Sequence, residues 1–182
     1  MRIAVYGGSF NPPHVAHGMV AAWLLWTGLA DEVWLVPVFQ HAFEGWHDKA
    51  LAPFERRVAW CEALAADVDP RVRVSEIERH LDTPSYTVET LRALAARHPE
   101  HAFRLVVGAD ALPTLPKWRA WSDIEREFAP IIVGRAGYPA VPDSVAFPSL
   151  SSTEIRERLQ RGLPVEHLVS AGVARLLAQE NK

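Results

Sequence analysis

RIAVYGGSFNPPHVAHGMV, residues 2–20, runs from an apolar segment through two glycines and two prolines into an apolar helical pattern. RIAVYGG reads as a buried parallel strand, a short apolar run closed by glycines. The helical pattern that follows, from about Val15 to Leu29 and ending near Gly28, makes the unit strand, loop, helix. A structural turn needs one of those glycines and one proline. It has no need of His14 and His17.

The same alternation continues outward from that unit. DEVWLVPV (31–38) predicts a second strand stopped by Pro37, and a mixed polar and aromatic loop follows from Phe39 to Ala52. Pro53 suits the first position of a helix running to about Asp67. RVRVSEIE (71–78) alternates and predicts a strand with one solvated face. TPSYTVETLRALAARHP (83–99) predicts a helix that starts at Thr83 or Ser85 and is closed by Pro99. AFRLVVGAD (102–110) is again a strand ending in glycine and a polar residue, Ala111–Phe128 reads as short helical turns, and APIIVGR (129–135) is a fifth strand. SVAFPSL (144–150) carries a short strand, SSTEIRERLQRG (151–162) a helix with a Ser/Thr start, and VEHLVSAGVARLLAQE (165–180) a closing helix. Strands alternating with helices predict an α/β chain: a doubly wound, Rossmann-like parallel sheet with helices on both faces and a helical C-terminal tail. No repeat or long linker interrupts it, so residues 1–182 are expected to form one domain.

Composition narrows the function. Hydrophobic residues make up 49% of the chain, enough for a sizeable core, and the net charge of -3 offers no basic face for a nucleic-acid backbone. A small phosphorylated ligand needs only a few local cations. The single cysteine, Cys61, excludes a disulfide framework and a cysteine-based zinc site within one chain and is expected in the core. The N-terminus reads as a strand and not a leader, and Asp31 and Glu32 interrupt the apolar stretch 19–39, which is wrong for a membrane span. The expectation is a cytoplasmic protein without membrane or nucleic-acid partners; self-association is left open.

In an open parallel sheet, ligands bind beyond the carboxyl ends of the strands, near the point where strand order reverses. Two strands here end suggestively, in GGSFNPPH and in GAD. Gly7 and Gly8 either make a tight turn or let a phosphate approach the backbone amides. His14 and His17 share one face of a first helical turn, where imidazoles, free amides and the helix dipole favour an anion. A pair of packed histidines, or a zinc site lacking its third ligand, are the competing readings. A second helix start, SSTEIR, offers Ser151, Ser152 and Thr153 with Arg156 one turn on: either an ordinary capped helix or a second anion site.

Together, GGSFNPPHVAH and SSTEIR resemble the paired HxGH and ISSTxIR motifs of a nucleotidyltransferase superfamily. Within it, the order of SYTVETL, GADALPTLPKW and IIVGR is most similar to the bacterial nicotinate-nucleotide adenylyltransferase family. The resemblance covers nearly the whole chain. It implies adenylyl transfer from ATP to nicotinic acid mononucleotide, giving deamido-NAD and pyrophosphate, by direct in-line attack without a covalent intermediate. By the same resemblance His14, His17 and Arg156 are the catalytic residues. Gly7, Gly8, Ser9, Phe10, Gly108, Asp110, Ser152 and Thr153 bind ATP. Lys49, Thr87, Trp118 and Arg135 bind the pyridine mononucleotide, with Trp118 stacking on the pyridine ring, Thr87 fixing its carboxylate and Arg135 near its phosphate. Mg2+ bridges the phosphates, with few direct protein ligands and no dedicated metal site.

The chain departs from the family pattern in places. Ala16 stands where the motif has glycine, Asn11 where it has aspartate, and Arg119 where an aromatic residue is frequent. VFQHAFEGWHDKAL replaces a short PPHK-like run. That loop motivates two alternatives to the pyridine acid: nicotinamide mononucleotide or another phosphomonoester as acceptor. A third reading, from a different class, is a nucleotide-binding regulator that has lost catalysis, against which the retained histidines and Arg156 argue.

Overall fold

The computed structural model describes residues 1–41 and 51–180. The elements are β1 (Arg2–Gly8), α1 (Val15–Trp26), β2 (Glu32–Pro37), α2 (Phe54–Val68), β3 (Val72–Val74), α3 (Thr87–Arg97), β4 (Ala102–Gly108), α4 (Trp121–Phe128), β5 (Ile131–Arg135), β6 (Ala146–Phe147), α5 (Ser152–Gln160) and α6 (Ala171–Glu180). All described strand pairs are parallel, in the order β3-β2-β1-β4-β5-β6. This is the doubly wound arrangement that the alternating sequence predicts.

Period-two alternation along β1 divides the core between the two faces of the sheet. Ala4 faces a cluster with Val20 and Leu24 of α1, Leu64 of α2, Ile155 of α5 and Val173 of α6. Ile3 and Val5 face the other cluster, with Leu91 and Leu94 of α3 and Ile124 and Phe128 of α4. Cys61 is fully buried in the first cluster, and burial raises its thiol pKa, so it serves as a core residue.

Three element boundaries differ from the sequence pattern, each because a tertiary contact prevails over a local one. The strand expected over 71–78 stops at Val74, and Ile77–His80 forms a 3-10 turn instead. That turn buries Ile77 and carries Glu78 inward, where its carboxylate accepts the Phe39 N–H at 2.9 Å and the Thr90 hydroxyl at 2.9 Å. Helix α3 starts at Thr87 and not at Thr83 or Ser85, because Ser85 lies in a short parallel bridge with His41 and donates its N–H to the Gln40 carbonyl at 2.8 Å. The closing helix covers only Ala171–Glu180 of the expected 165–180; Leu168 ahead of it gives its carbonyl to the Val15 N–H at 3.0 Å. Asp67 of α2 accepts the Gly172 N–H at 2.6 Å and so anchors the start of α6.

The site is positioned by where the sheet parts. The β1–β4 ladder ends at Val5↔Leu105, whereas β1 continues beside β2 to Gly8↔Pro37 and β4 continues beside β5 to Gly108↔Val133. Beyond Val5 the two central strands therefore diverge, opening a crevice at the topological switch point. The segments after β1, β4 and β5 and the start of α5 supply its side chains.

Candidate active site

Tyr6 sits where the strands diverge, its ring in edge contact with Phe10 at 5.9 Å and tilted against His17 at 5.7 Å. Burial, and after it the Asp110 charge, raise its hydroxyl pKa, so Tyr6 stays neutral. Phe10 has φ of 45°, a left-handed conformation that turns the chain sharply after β1. Its ring covers Gly8, where a Cβ would come 3.2 Å from the ring, while a Cβ on Gly7 would meet nothing within 4 Å. Gly7 thus borders open space, and a side chain at Gly8 would press on the folded-back ring.

His14 and His17 stack with ring centroids 3.7 Å apart and 23° between planes. His17 Nδ1 accepts the His14 backbone N–H at 3.0 Å, so the neutral ring must carry its proton on Nε2, free to donate. Burial, followed by the Arg135 charge, lowers the His14 pKa to about 4. His17 is pushed well below the usual histidine range by burial, then by His14 and Arg135. Both are neutral near pH 7 without a ligand. The first turn of α1 itself is less open than the sequence suggests: the Val15 amide is taken by Leu168 and the His17 amide by the His14 carbonyl at 2.9 Å. The imidazoles, and not those two amides, are what this turn offers an anion.

Helix α5 brings the second motif to the same place. Ser151 caps it, accepting the Glu154 N–H at 3.1 Å. Ser152 then donates its hydroxyl to the Pro12 carbonyl at 2.8 Å, and Arg156 donates to the Asn11 carbonyl at 2.8 Å and to Thr153 Oγ1 at 3.2 Å. SSTEIR and NPPH, some 140 residues apart, are thereby fastened into one surface. Thr153 is exposed and Arg156 half-buried beside it.

Arg135, at the end of β5, closes the cluster from the other side. It pairs with Asp110 Oδ2 at 2.7 Å, donates to the Leu150 carbonyl at 3.1 Å and lies 5.9 Å from the Tyr138 ring. A Cβ on Gly108 would collide with Asp110 Oδ1, so glycine there lets the carboxylate fold back over the end of β4. Arg135, expected beside the acceptor phosphate, lies within electrostatic reach of both histidines. Among the described residues, two of the buried polar atoms without a protein partner, His14 Nδ1 and Arg135 Nε, fall in this cluster. Such atoms concentrate where a polar ligand belongs.

The two departures inside the first motif have local explanations. Asn11 is buried and its Oδ1 accepts the Ala52 N–H at 3.1 Å, work that needs an oxygen and no charge. Ala16 is only 6% exposed, so its methyl lies against protein and not in the open crevice.

The acceptor candidates form a neighbouring surface. Thr87 opens α3, and Trp118 is half-buried with its ring 6.0 Å from Trp121. Arg119 joins their two segments, its guanidinium 4.6 Å over the Tyr86 ring and 4.0 Å from Glu89. Ser9 and His41 connect this surface to the phosphate side through a 2.9 Å contact between Oγ and Nε2. Lys49 and His47 lie outside the described residues.

Arg57 of α2 was missed by the sequence reading. It is 1% exposed, and its guanidinium donates to the carbonyls of Ser9 at 3.1 Å, Val38 at 2.7 Å and Ala52 at 3.0 Å. One buried cation thus holds together the loop after β1, the loop after β2 and the approach to α2. Only its place on the apolar face of α2, among Phe54, Val58 and Cys61, could have flagged it.

Comparison with known proteins identifies the family. Residues 5–158 match the model of the cytidylyltransferase-like family. A protein from Anaeromyxobacter sp. (strain K) named "Probable nicotinate-nucleotide adenylyltransferase" is 46% identical over 182 residues, covering 98% of this chain and 95% of its own. A Myxococcus xanthus protein of the same name is 42% identical over 173 residues, covering 94% and 88%. In fold, the chain is similar to Plasmodium falciparum nicotinic acid mononucleotide adenylyltransferase complexed with NaAD, with a TM-score of 0.81, 20% identity and coverage of 99% and 96%.

Proposed function

The chain belongs to the nicotinate-nucleotide adenylyltransferases of the cytidylyltransferase-like family, and from that premise we infer how its crevice carries out the reaction. The enzyme transfers the adenylyl group of ATP to nicotinic acid mononucleotide, a step of NAD biosynthesis. A mononucleotide phosphate oxygen attacks the α-phosphorus, a new P–O bond forms, and the bond to the bridging oxygen breaks, its electron pair leaving with pyrophosphate. No protein nucleophile is needed. The protein's task is alignment and stabilisation of charge.

The single observation that carries this assignment is the fastening of the SSTEIR helix start onto the NPPH loop. We read it as setting His14 and His17 on one side of the space for the phosphates and Ser152, Thr153 and Arg156 on the other. In our reading His17 Nε2–H and His14 donate to oxygens around the α-phosphorus. Arg156, Thr153 and the α5 amides hold the leaving pyrophosphate, and Arg135 adds positive charge to the same space. Gly7, Gly8, Ser9 and Phe10 shape the backbone against the phosphates, and Gly108 and Asp110 border the adenosine. Thr87 and Trp118 face the pyridine end, with Lys49 assigned there from sequence alone.

Among the described residues, the donors around this space are imidazoles, guanidinium groups and hydroxyls, and the carboxylate of Asp110 is already engaged by Arg135. That set suits a Mg2+ carried in by the triphosphate oxygens and water and not a protein cage. Bound there, Mg2+ neutralises phosphate charge. No described helix is long and apolar enough to cross a membrane.

The test is pyrophosphate release from ATP with nicotinic acid mononucleotide, nicotinamide mononucleotide and other phosphomonoesters compared side by side. The highest kcat/KM for the pyridine acid is expected. Tight ATP binding without turnover on any acceptor would instead favour a regulator.

A further inference from the structure

We propose that His98, Glu100 and His101 form a binding site for a divalent transition-metal ion such as Zn2+, at the end of the sheet opposite the crevice. The three residues lie in the turn HPEH that joins α3 to β4. Each can offer one ligand atom, and these atoms lie within 4.8 Å of one another. His101 Nε2 is 3.3 Å and His98 Nδ1 3.8 Å from the same Glu100 oxygen. A tetrahedral ion with bonds of about 2.0–2.1 Å keeps neighbouring ligand atoms about 3.3 Å apart, so small side-chain adjustments complete the set. Two imidazoles and a carboxylate, with no thiolate, are donors for zinc, nickel, cobalt or copper and poor ones for Mg2+.

The imidazoles are also held in place before any ion arrives. They lie parallel, 5° between planes at 5.9 Å, and both stand edge-on to the Trp34 indole, at 5.1 Å and 6.1 Å. Phe103 flanks both rings. The indole is itself fixed, donating to Glu32 Oε2 at 2.9 Å, and Glu32 is paired with Arg73. This aromatic wall restricts the rotamers that a loose surface site would have to order on binding. Glu100, 61% exposed, leaves the remaining coordination positions to water.

β4 starts at Ala102 beside the cluster and reaches Gly108 at the crevice, a rise of about 20 Å. The ion therefore cannot touch the reacting phosphates. Its effect is to brace the end of α3 against the start of β4, as a ligand that favours the folded state.

The test is calorimetric titration of the chelator-treated full-length protein with Zn2+ in excess Mg2+, alongside the visible absorption of bound Co2+. One saturable site is expected, with a rise in Tm on loading. Glu100→Gln, at an exposed position, and His98→Ala should each weaken Zn2+ binding at least tenfold, with adenylyl transfer by the metal-free variants unchanged. His80→Ala, remote from the cluster, should leave binding as it is. Unaltered binding in both cluster variants, or binding abolished by His17→Ala alone, would overturn the assignment, as would absence of a saturable site.

Discussion

Replacing Arg57 by methionine tests whether one buried cation holds both substrate loops. The side chain is 1% exposed and donates three bonds to backbone carbonyls of Ser9, Val38 and Ala52. Hydrogen bonds with a charged partner contribute about 1.5–3 kcal/mol each, so three set an upper bound of about 5–9 kcal/mol. Methionine regains some of this by apolar burial, and Ser9, half-buried, can take water. The buried Glu78 carboxylate loses a cation within its reach, which adds to the cost. A net loss of about 3–5 kcal/mol is expected, comparable to removing one partner of a buried charge pair. For a chain of this size that is a fall in Tm of about 6–20 °C. Measured well below that Tm, KM should rise for ATP and for the mononucleotide alike, since Ser9 is assigned to ATP and the loop that Val38 begins leads to Lys49, assigned to the mononucleotide. Arg57→Lys keeps the charge but not the fork, and should recover only part of the loss. A Tm lowered by under about 3 °C with both KM values unchanged would refute the reasoning.

Three further outcomes follow from the crevice. His17→Ala removes the donor fixed by the His14 amide and should lower kcat by about 10²–10³ while circular dichroism stays native; a rate near that of the parent would remove the assignment. The folded-state pKa of His14, about 4, lies below its unfolded value of 6.5, so the unfolded chain binds more protons between these limits. Stability is then full above pH 6.5 and falls as pH drops toward 4, by about 3 kcal/mol from this group, a slope that urea melts across this range measure and that His14→Ala should flatten. Ala16→Gly deletes a methyl that faces protein, so KM for ATP should hold within about twofold while stability falls by up to about 1 kcal/mol; a large KM change in steady-state assays would show that the methyl borders the ligand.

The architecture was legible because glycine-closed apolar runs alternate with helical ones, and each of the expected strands is present somewhere within its predicted span. Boundaries failed where distant groups decided them. RVRVSEIE has a strand's alternation throughout, yet Glu78 leaves the edge to accept an amide from Phe39, 39 residues away. Thr83 and Ser85 are good helix starters locally, but Ser85 is held extended by Gln40. His14, His17 and Arg156 stood out as candidates because their residue types are chemically unusual for a turn. Arg57 did not, because an arginine in an amphipathic helix looks like solvated surface until three carbonyls are seen to converge on it. The engagement of the Val15 amide by Leu168 was equally hidden, since nothing in VEHLVS marks a carbonyl as a cap for the first helix.

The fastening of Ser152 and Arg156 onto Pro12 and Asn11 has a consequence for synthesis on the ribosome. The two halves of the proposed phosphate clamp, His14 with His17 and Ser152 with Arg156, lie some 140 residues apart in the chain. A chain folding in sequence order can assemble β1 to β5 while the imidazoles still lack Ser152, Thr153 and Arg156 opposite them. On our reading of the site, ATP gains its full set of contacts only once α5 has left the exit tunnel. A fragment truncated before α5 is therefore expected to turn over little, so that on our reading synthesis of α5 is the event that arms the enzyme.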